Sequence, residues 1–144
     1  DEIKLKNPTR SGYHFAGWYT DSKYKQKIDV IKKGTTGALT LYAKWQKVTV
    51  KKSAIKKMKA VSGRKAKVTV QKVEGAAGYQ IVYSTDKQFK KNVKKVTISG
   101  TSKTLGKLAK GKTYYVKVRA YKKDSTGAKV YGSFSSAKKI KISK

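Results

Sequence analysis

The stretch YYVKVRAY, residues 114–121, alternates with a period of two. Tyr114, Val116, Val118 and Ala120 share one side of an extended chain, while Tyr115, Lys117, Arg119 and Tyr121 share the other. A helical period does not fit that order, so the segment is predicted as a strand with one dry and one wet face. VTVQ (68–71), YQIVY (79–83), KVTI (95–98) and KIKI (139–142) read in the same way. Between them fall the turn signals SGRK, EGAAG, SGTS, AKGK, STGA and YGS. Short strands and glycine-bearing turns, with no convincing amphipathic helix, predict an all-β fold dominated by an antiparallel β-sandwich. Tyr79, Ile81 and Tyr83 point to one side of their strand. Val68, Val70, Ile140 and Ile142 supply apolar pairs from neighbouring ones.

Charge divides the chain. Residues 1–45 hold nine Lys/Arg against four Asp/Glu, whereas residues 46–144 hold 28 against three. The shift places a boundary after LTLYAKW, giving modules 1–46 and 47–144. The formal net charge of +30 attracts polyanions and repels cations. Candidate partners are nucleic acid, anionic wall polymers, acidic glycans and anionic membrane surfaces; charge alone does not choose among them.

The first module concentrates rings. RSGYHFAGWYTDSKY (10–24) and LTLYAKW (39–45) together contain Phe15, Trp18, Tyr42 and Trp45, expected as the core of a unit too small to be built from aliphatics alone. Each buried aromatic removes about 150–250 Å² from water. Tyr19 and Tyr24 are the rings expected at the surface, and with Tyr131 they are the candidates for stacking on a glycan.

Two resemblances follow from these residues. In LGKLAKGKTYYVKVRAY, Leu105, Leu108, Gly111 and Tyr114 resemble the stretch of fibronectin type III domains that leads into the sixth strand. The resemblance implies a core role for Leu108. It also implies that Tyr114 is a corner tyrosine whose hydroxyl bonds nearby backbone. GYQIVYSTD resembles the third strand, with Tyr79 inward. Val70 stands where that family usually has a core tryptophan. NPTRSGYHFAGWYTD with LTLYAKW resembles the internalin B-repeat, or Listeria–Bacteroides repeat, through Pro8, Arg10, Gly12, Tyr13, Phe15, Gly17, Trp18, Tyr19, Leu41, Tyr42, Ala43 and Trp45. That family is a small β-grasp-like module of bacterial surface proteins. Its usual first strand, with an Asn-Gly-Gly turn, does not precede Asp1. The module is therefore expected to lack that strand, and an open sheet edge invites a covering partner. The lysine-rich type III flavour is similar to that of Gram-positive secreted and surface proteins, which implies an extracellular or cell-surface location and further domains upstream.

Little in the sequence suggests bond chemistry. His14 is the sole histidine and there is no cysteine, so no disulfide framework, cysteine zinc site or histidine-rich metal site can be assembled. No Walker pattern or calcium loop is present, and no two acids of the second module lie close in sequence. The expectation is a non-enzyme with no catalytic residues, no metal and no cofactor. Apolar runs are too short to span a bilayer, so no membrane insertion is expected. The lysine clusters remain, and Lys56, Lys57, Lys90, Lys91, Lys94, Lys95, Lys122 and Lys123 are the candidate polyanion contacts. Without a groove-entering element or a stacking platform, no specific nucleic-acid binding is expected. The function expected is that of a spacer and electrostatic adhesion module toward an anionic cell-wall polymer or host glycan, through weak, salt-sensitive contacts. The alternative is a carbohydrate-binding accessory module of an extracellular hydrolase.

Overall fold

The computed structural model describes residues 3–31 and 39–143. Thirteen strands, and no helix, occur among the described residues: β1 (Ile3–Lys4), β2 (Tyr13–Tyr19), β3 (Lys27–Ile28), β4 (Val30–Ile31), β5 (Tyr42–Lys47), β6 (Ile55–Val61), β7 (Lys65–Val70), β8 (Gly78–Ser84), β9 (Lys94–Ile98), β10 (Ser102–Leu105), β11 (Thr113–Lys123), β12 (Lys129–Tyr131) and β13 (Lys138–Lys141). The chain forms two compact units, one of Asp1–Val48 with Lys123–Lys129 and one of Thr49–Lys122 with Val130–Lys144.

The second unit is the expected β-sandwich. One sheet runs β10-β7-β6; the other runs β12-β11-β8-β9, with β13 also paired to β11. All the registered pairs are antiparallel. The core lies between the sheets. Ile55, Ala66, Val68 and Val70 come from the first sheet and Tyr79, Ile81, Val116, Val118 and Ala120 from the second, closed by Leu105, Leu108 and Ile142. The expected core residues Tyr79 and Leu108 are buried, and Tyr114 is half-buried against this cluster. Val70, in the place of the family's tryptophan, is buried as well. The Tyr114 hydroxyl accepts the Ala109 N–H at 2.7 Å, and the Tyr79 hydroxyl accepts the Val73 N–H at 2.7 Å. Gly78 is obligatory on packing grounds: a Cβ there would lie 2.6 Å from the Ile98 carbonyl oxygen and 2.7 Å from the Tyr121 hydroxyl.

The first unit holds two small sheets, β1-β4 and β3-β2-β5. It is built around rings. Phe15 meets Trp18 at 5.5 Å and Trp45 at 5.7 Å between centroids, both edge to face, a favoured aromatic geometry. A β-bulge makes this possible. Phe15 pairs with Trp45 while Gly17 pairs with Lys44, so Ala16 is an extra residue in β2. Without it, Phe15 and Trp18 would face opposite ways, because side chains alternate along a strand. Gly17 takes a φ of +126°, a conformation that strongly favours glycine.

One expected core ring is elsewhere. Phe15, Trp18 and Trp45 are half-buried on one face, but Tyr42 is 36% exposed. The reason is parity: Tyr42 and Trp45 are three residues apart on a strand without a bulge, so they point to opposite faces.

The candidate polyanion surface and its rivals

The sandwich presents a bare cationic face on the sheet β10-β7-β6. In β7, Ala66, Val68 and Val70 are buried, which turns Lys65, Lys67 and Thr69 outward. The register then fixes their neighbours: Lys57 lies opposite Thr69, Lys59 opposite Lys67, and Val61 opposite Lys65. Ser102 and Thr104 of β10 complete the face. Lys57, Lys59, Lys65 and Lys67 are all exposed, and none of the three strands carries an acidic residue. Residues two apart on one strand repeat every ~6.7 Å, and neighbouring strands lie ~4.8 Å apart. The result is a regular lattice of exposed ammonium groups. Lys59 directly opposite Lys67 is a like-charge pair, an arrangement that costs stability in a sheet.

The lysines expected from sequence are not gathered in one place. Lys57 belongs to this lattice and Lys56 sits at a bulge in β6, between the paired positions Ile55 and Lys57. Lys90 and Lys91 lie in the turn before β9. Lys94 and Lys95 are on β9, opposite Tyr83 and Val82. Lys122 is half-buried near Gly75, and Lys123 ends β11 as an exposed residue. Lys59, Lys65 and Lys67 were missed because their common face appears only when β6 is registered on β7.

The outward face of the larger sheet is different in kind. Its cations are stacked on rings: the Lys117 ammonium lies 4.3 Å from the centroids of both Phe89 and Phe134, and the Arg119 guanidinium lies 3.7 Å from Tyr131 and 4.4 Å from Phe134. The Arg119 Nε–H donates to the Gln80 Oε1 at 2.7 Å. These groups stabilise one another by cation–π attraction and are partly committed. Tyr131, expected as a glycan-stacking ring, is half-buried with the guanidinium on its face and Tyr121 at 5.9 Å. A cleft of about 620 Å³ in this unit is lined by Tyr83, Tyr114, Lys94 and Lys112 among others. Burial, followed by the neighbouring Tyr114, raises the Tyr83 pKa.

One turn design occurs twice. Asp21-Ser22-Lys23-Tyr24-Lys25 and Asp86-Lys87-Gln88-Phe89-Lys90 share the spacing Asp-x-x-ring-Lys. In each, the ring residue donates its N–H to the aspartate carbonyl and adopts a left-handed φ, 58° for Tyr24 and 56° for Phe89. In each, the carboxylate accepts the N–H groups four and five residues on. The Gln88 N–H and then the Lys90 N–H hold the Asp86 carboxyl below its usual pKa. Both turns fix an aromatic ring beside a lysine: Phe89 at Lys117, and Tyr24 5.8 Å from the Lys44 ammonium.

A third aspartate is structural. Asp124 is buried within the first unit and accepts the Gly12 N–H at 2.7 Å, with further donors from Thr126 and Ala128. The Gly12 bond is the chief cause that lowers its pKa to about 2. Beside it, Ser125 donates its N–H to the Tyr13 carbonyl and accepts the Arg10 N–H on its hydroxyl. Among the described residues no group of three or more His, Cys, Asp and Glu could hold a metal ion.

Residues 2–44 match the model of the Listeria-Bacteroides repeat domain. No curated protein matches the chain. Among solved structures, the FN1–FN3 domains of chicken CNTN1 are similar at 20% identity and a TM-score of 0.55, over 80% of this chain; the chain spans 39% of their length. The sixth fibronectin type III domain of human fibronectin type III domain containing protein 3 is similar at 16% identity and a TM-score of 0.53, over 68% of this chain and 90% of that one. A Fn3-like protein from Clostridium thermocellum shares 24% identity, over 67% of this chain and 94% of that one, with a TM-score of 0.48. The chain therefore carries a Listeria–Bacteroides repeat followed by a fibronectin type III-like domain.

Proposed function

With a repeat and a type III-like sandwich in succession, we propose that the chain is a non-catalytic spacer and electrostatic adhesion segment of an extracellular, surface-associated protein of a Gram-positive bacterium. In this reading 1–46 is the repeat module, 47–144 is the type III-like domain, and further domains of the parent lie upstream. Both module types are typically non-catalytic. The adhesive partner is an anionic envelope polymer or an acidic host glycan.

The observation that supports this reading is the lattice of Lys57, Lys59, Lys65 and Lys67. A face kept only for solubility has no need of a like-charge pair placed directly across two strands, because mixed signs serve solubility without that cost. A linear polyanion laid on the face relieves the repulsion and releases its counterions, which drives binding at low salt. Among the described residues no element offers base-edge readout, and this reading has the recognition be of charge and spacing.

The test is retention of the chain on purified Gram-positive cell walls, with and without their anionic polymers, across a salt series. Retention that disappears both with the polymer and with rising salt is expected. Retention indifferent to both would refute the electrostatic mechanism. The alternative, an accessory module that binds carbohydrate by stacking, finds its support in the first unit.

A further inference from the structure

We propose that the outward face of the sheet β3-β2-β5 is a second, separate binding site, for the carboxylated sugar rings of an acidic glycan. It does not depend on the lysine lattice of the sandwich.

The face follows from register. The pairs His14–Gln46, Gly17–Lys44 and Tyr19–Tyr42 lie in sequence along β2 and β5, on the side opposite Phe15, Trp18 and Trp45. Lys27 of β3 stands beside Tyr19. Burial of a tyrosine ring is favourable, and the cluster Phe15, Trp18 and Trp45 gathers the rings of the other face. Yet Tyr24 is 40% and Tyr42 36% exposed.

The rings are also held in place. Tyr24 is fixed at the tip of the Asp21 turn, where the carboxylate accepts the Lys25 and Gln26 N–H groups at 2.9 Å. Its ring meets that of Tyr19 edge to face, at 5.4 Å and 77°, which holds both rings in place. The Lys44 ammonium lies 5.9 Å from Tyr19 and 5.8 Å from Tyr24, equally disposed toward both. Gly17 lets the Lys27 side chain lie across β2 beside Tyr19: a Cβ there would lie 2.8 Å from the Lys27 Cε and 3.5 Å from the Tyr19 ring.

Each part has a matching group on an acidic sugar. The C–H face of a pyranose stacks on a tyrosine ring. A carboxylate pairs with the ammonium of Lys44. The exposed His14 and Gln46, one pair along, supply hydrogen bonds to hydroxyls. The cations select acidic over neutral chains, since β2, β3 and β5 carry no acid. The rings select a sugar over a bare polyphosphate, which has no apolar face to offer. Uronate chains and muramic-acid sugars share this chemistry.

The experiment uses the whole chain, labelled for amide NMR, titrated with a hyaluronan tetrasaccharide, a GlcNAc–MurNAc disaccharide, neutral chitotetraose and inorganic polyphosphate. Shifts are expected at Tyr19, Tyr24, Tyr42 and Lys44 with at least one carboxylated sugar, more weakly with chitotetraose; the better of the two identifies the source. Tyr24→Ala and Tyr42→Ala each remove an exposed ring and should weaken binding roughly tenfold, as the loss of one good stacking contact does. Lys44→Gln should erase the preference for acid but leave residual stacking. The combined variant Lys57→Gln, Lys59→Gln, Lys65→Gln and Lys67→Gln should leave sugar binding intact while abolishing polyphosphate binding. Absence of binding by both carboxylated sugars, shifts confined to 49–122, or sugar affinity unchanged in both tyrosine variants would overturn the proposal. The polyphosphate arm reports separately on the sandwich, so failure of one site is not failure of the other.

Discussion

Lys59→Glu is the most informative single change in the sandwich, because stability and binding should move in opposite directions. Lys59 stands directly across from Lys67 on an exposed face. Two ammonium groups ~7 Å apart in water repel by about 0.6 kcal/mol. Screening at physiological salt, with a Debye length of ~8 Å, leaves less than half of that. Replacing one lysine with glutamate removes the repulsion and adds an attraction of like size, a gain of about 0.5 kcal/mol, within the range for cross-strand pairs. For a domain of this size that corresponds to a rise of ~2–4 °C in melting temperature. Binding should weaken together with the rise. Each neutralised contact lowers the log–log salt slope by about 0.7–0.9, and reversal of charge counts roughly double. A melt followed by far-UV circular dichroism and a salt series on immobilised polyphosphate give the two numbers on one sample. A stabilised variant with a shallower slope cannot owe its lost binding to unfolding. A variant whose slope equals that of the parent would refute the lattice as the contact surface. One that melts lower would refute the register-based account of the repulsion.

The remaining expectations concern the fold. Tyr79→Phe strands the buried Val73 N–H and should cost about 1–3 kcal/mol, whereas Tyr114→Phe leaves the Ala109 N–H to water and should cost about 0.5–1.5 kcal/mol; urea midpoints in the reverse order would contradict the burial argument. The Asp124 carboxyl has its pKa lowered, so its stabilisation is complete above the unfolded value of 3.8 and is lost as pH falls toward about 2. An acid titration followed by tryptophan fluorescence should show that loss, and Asp124→Asn should be weaker at neutral pH and flat across the window; superimposable profiles would argue against it. Deletion of Ala16 should turn Trp18 to the other face and abolish the near-UV tryptophan signal, which comes from Trp18 and Trp45 of the first unit alone. A retained signal would mean that the bulge does not set the parity.

What the sequence hid has a common physical cause. Strands that keep an unbroken period of two were legible: β7, β8, β9, β11 and β13 were read within a few residues. The spacing Asp-x-x-ring-Lys was also there to be read, since both copies sit in one chain. Contacts such as that of Gly12 with Asp124 were not, because 112 residues separate the partners and no local pattern links them.

The bulges account for the rest. In β2 the inward rings Phe15 and Trp18 are three apart, and in β6 the inward Ile55 and Met58 are also three apart; each pair is brought to one face by a single extra residue. An i, i+3 spacing fits neither an unbroken strand nor, when so short, a helix. In KKSAIKKMK, residues 51–59, the lysines that include the candidate contacts Lys56 and Lys57 therefore mask the strand that starts at Ile55. The same irregularity decides the candidate site. Counting by twos from the buried Ile55 would send Lys57 and Lys59 into the core, where an unpaired charge is prohibitive. The extra residue Lys56 turns both outward, into register with Lys67 and Thr69. The cationic lattice is therefore a product of backbone geometry as much as of lysine content. Deleting Lys56 should damage fold and polyanion surface together, whereas Lys56→Ala, which keeps the bulge, should spare both; a binding loss in Lys56→Ala as large as in Lys59→Glu would show that charge count, and not register, governs the surface.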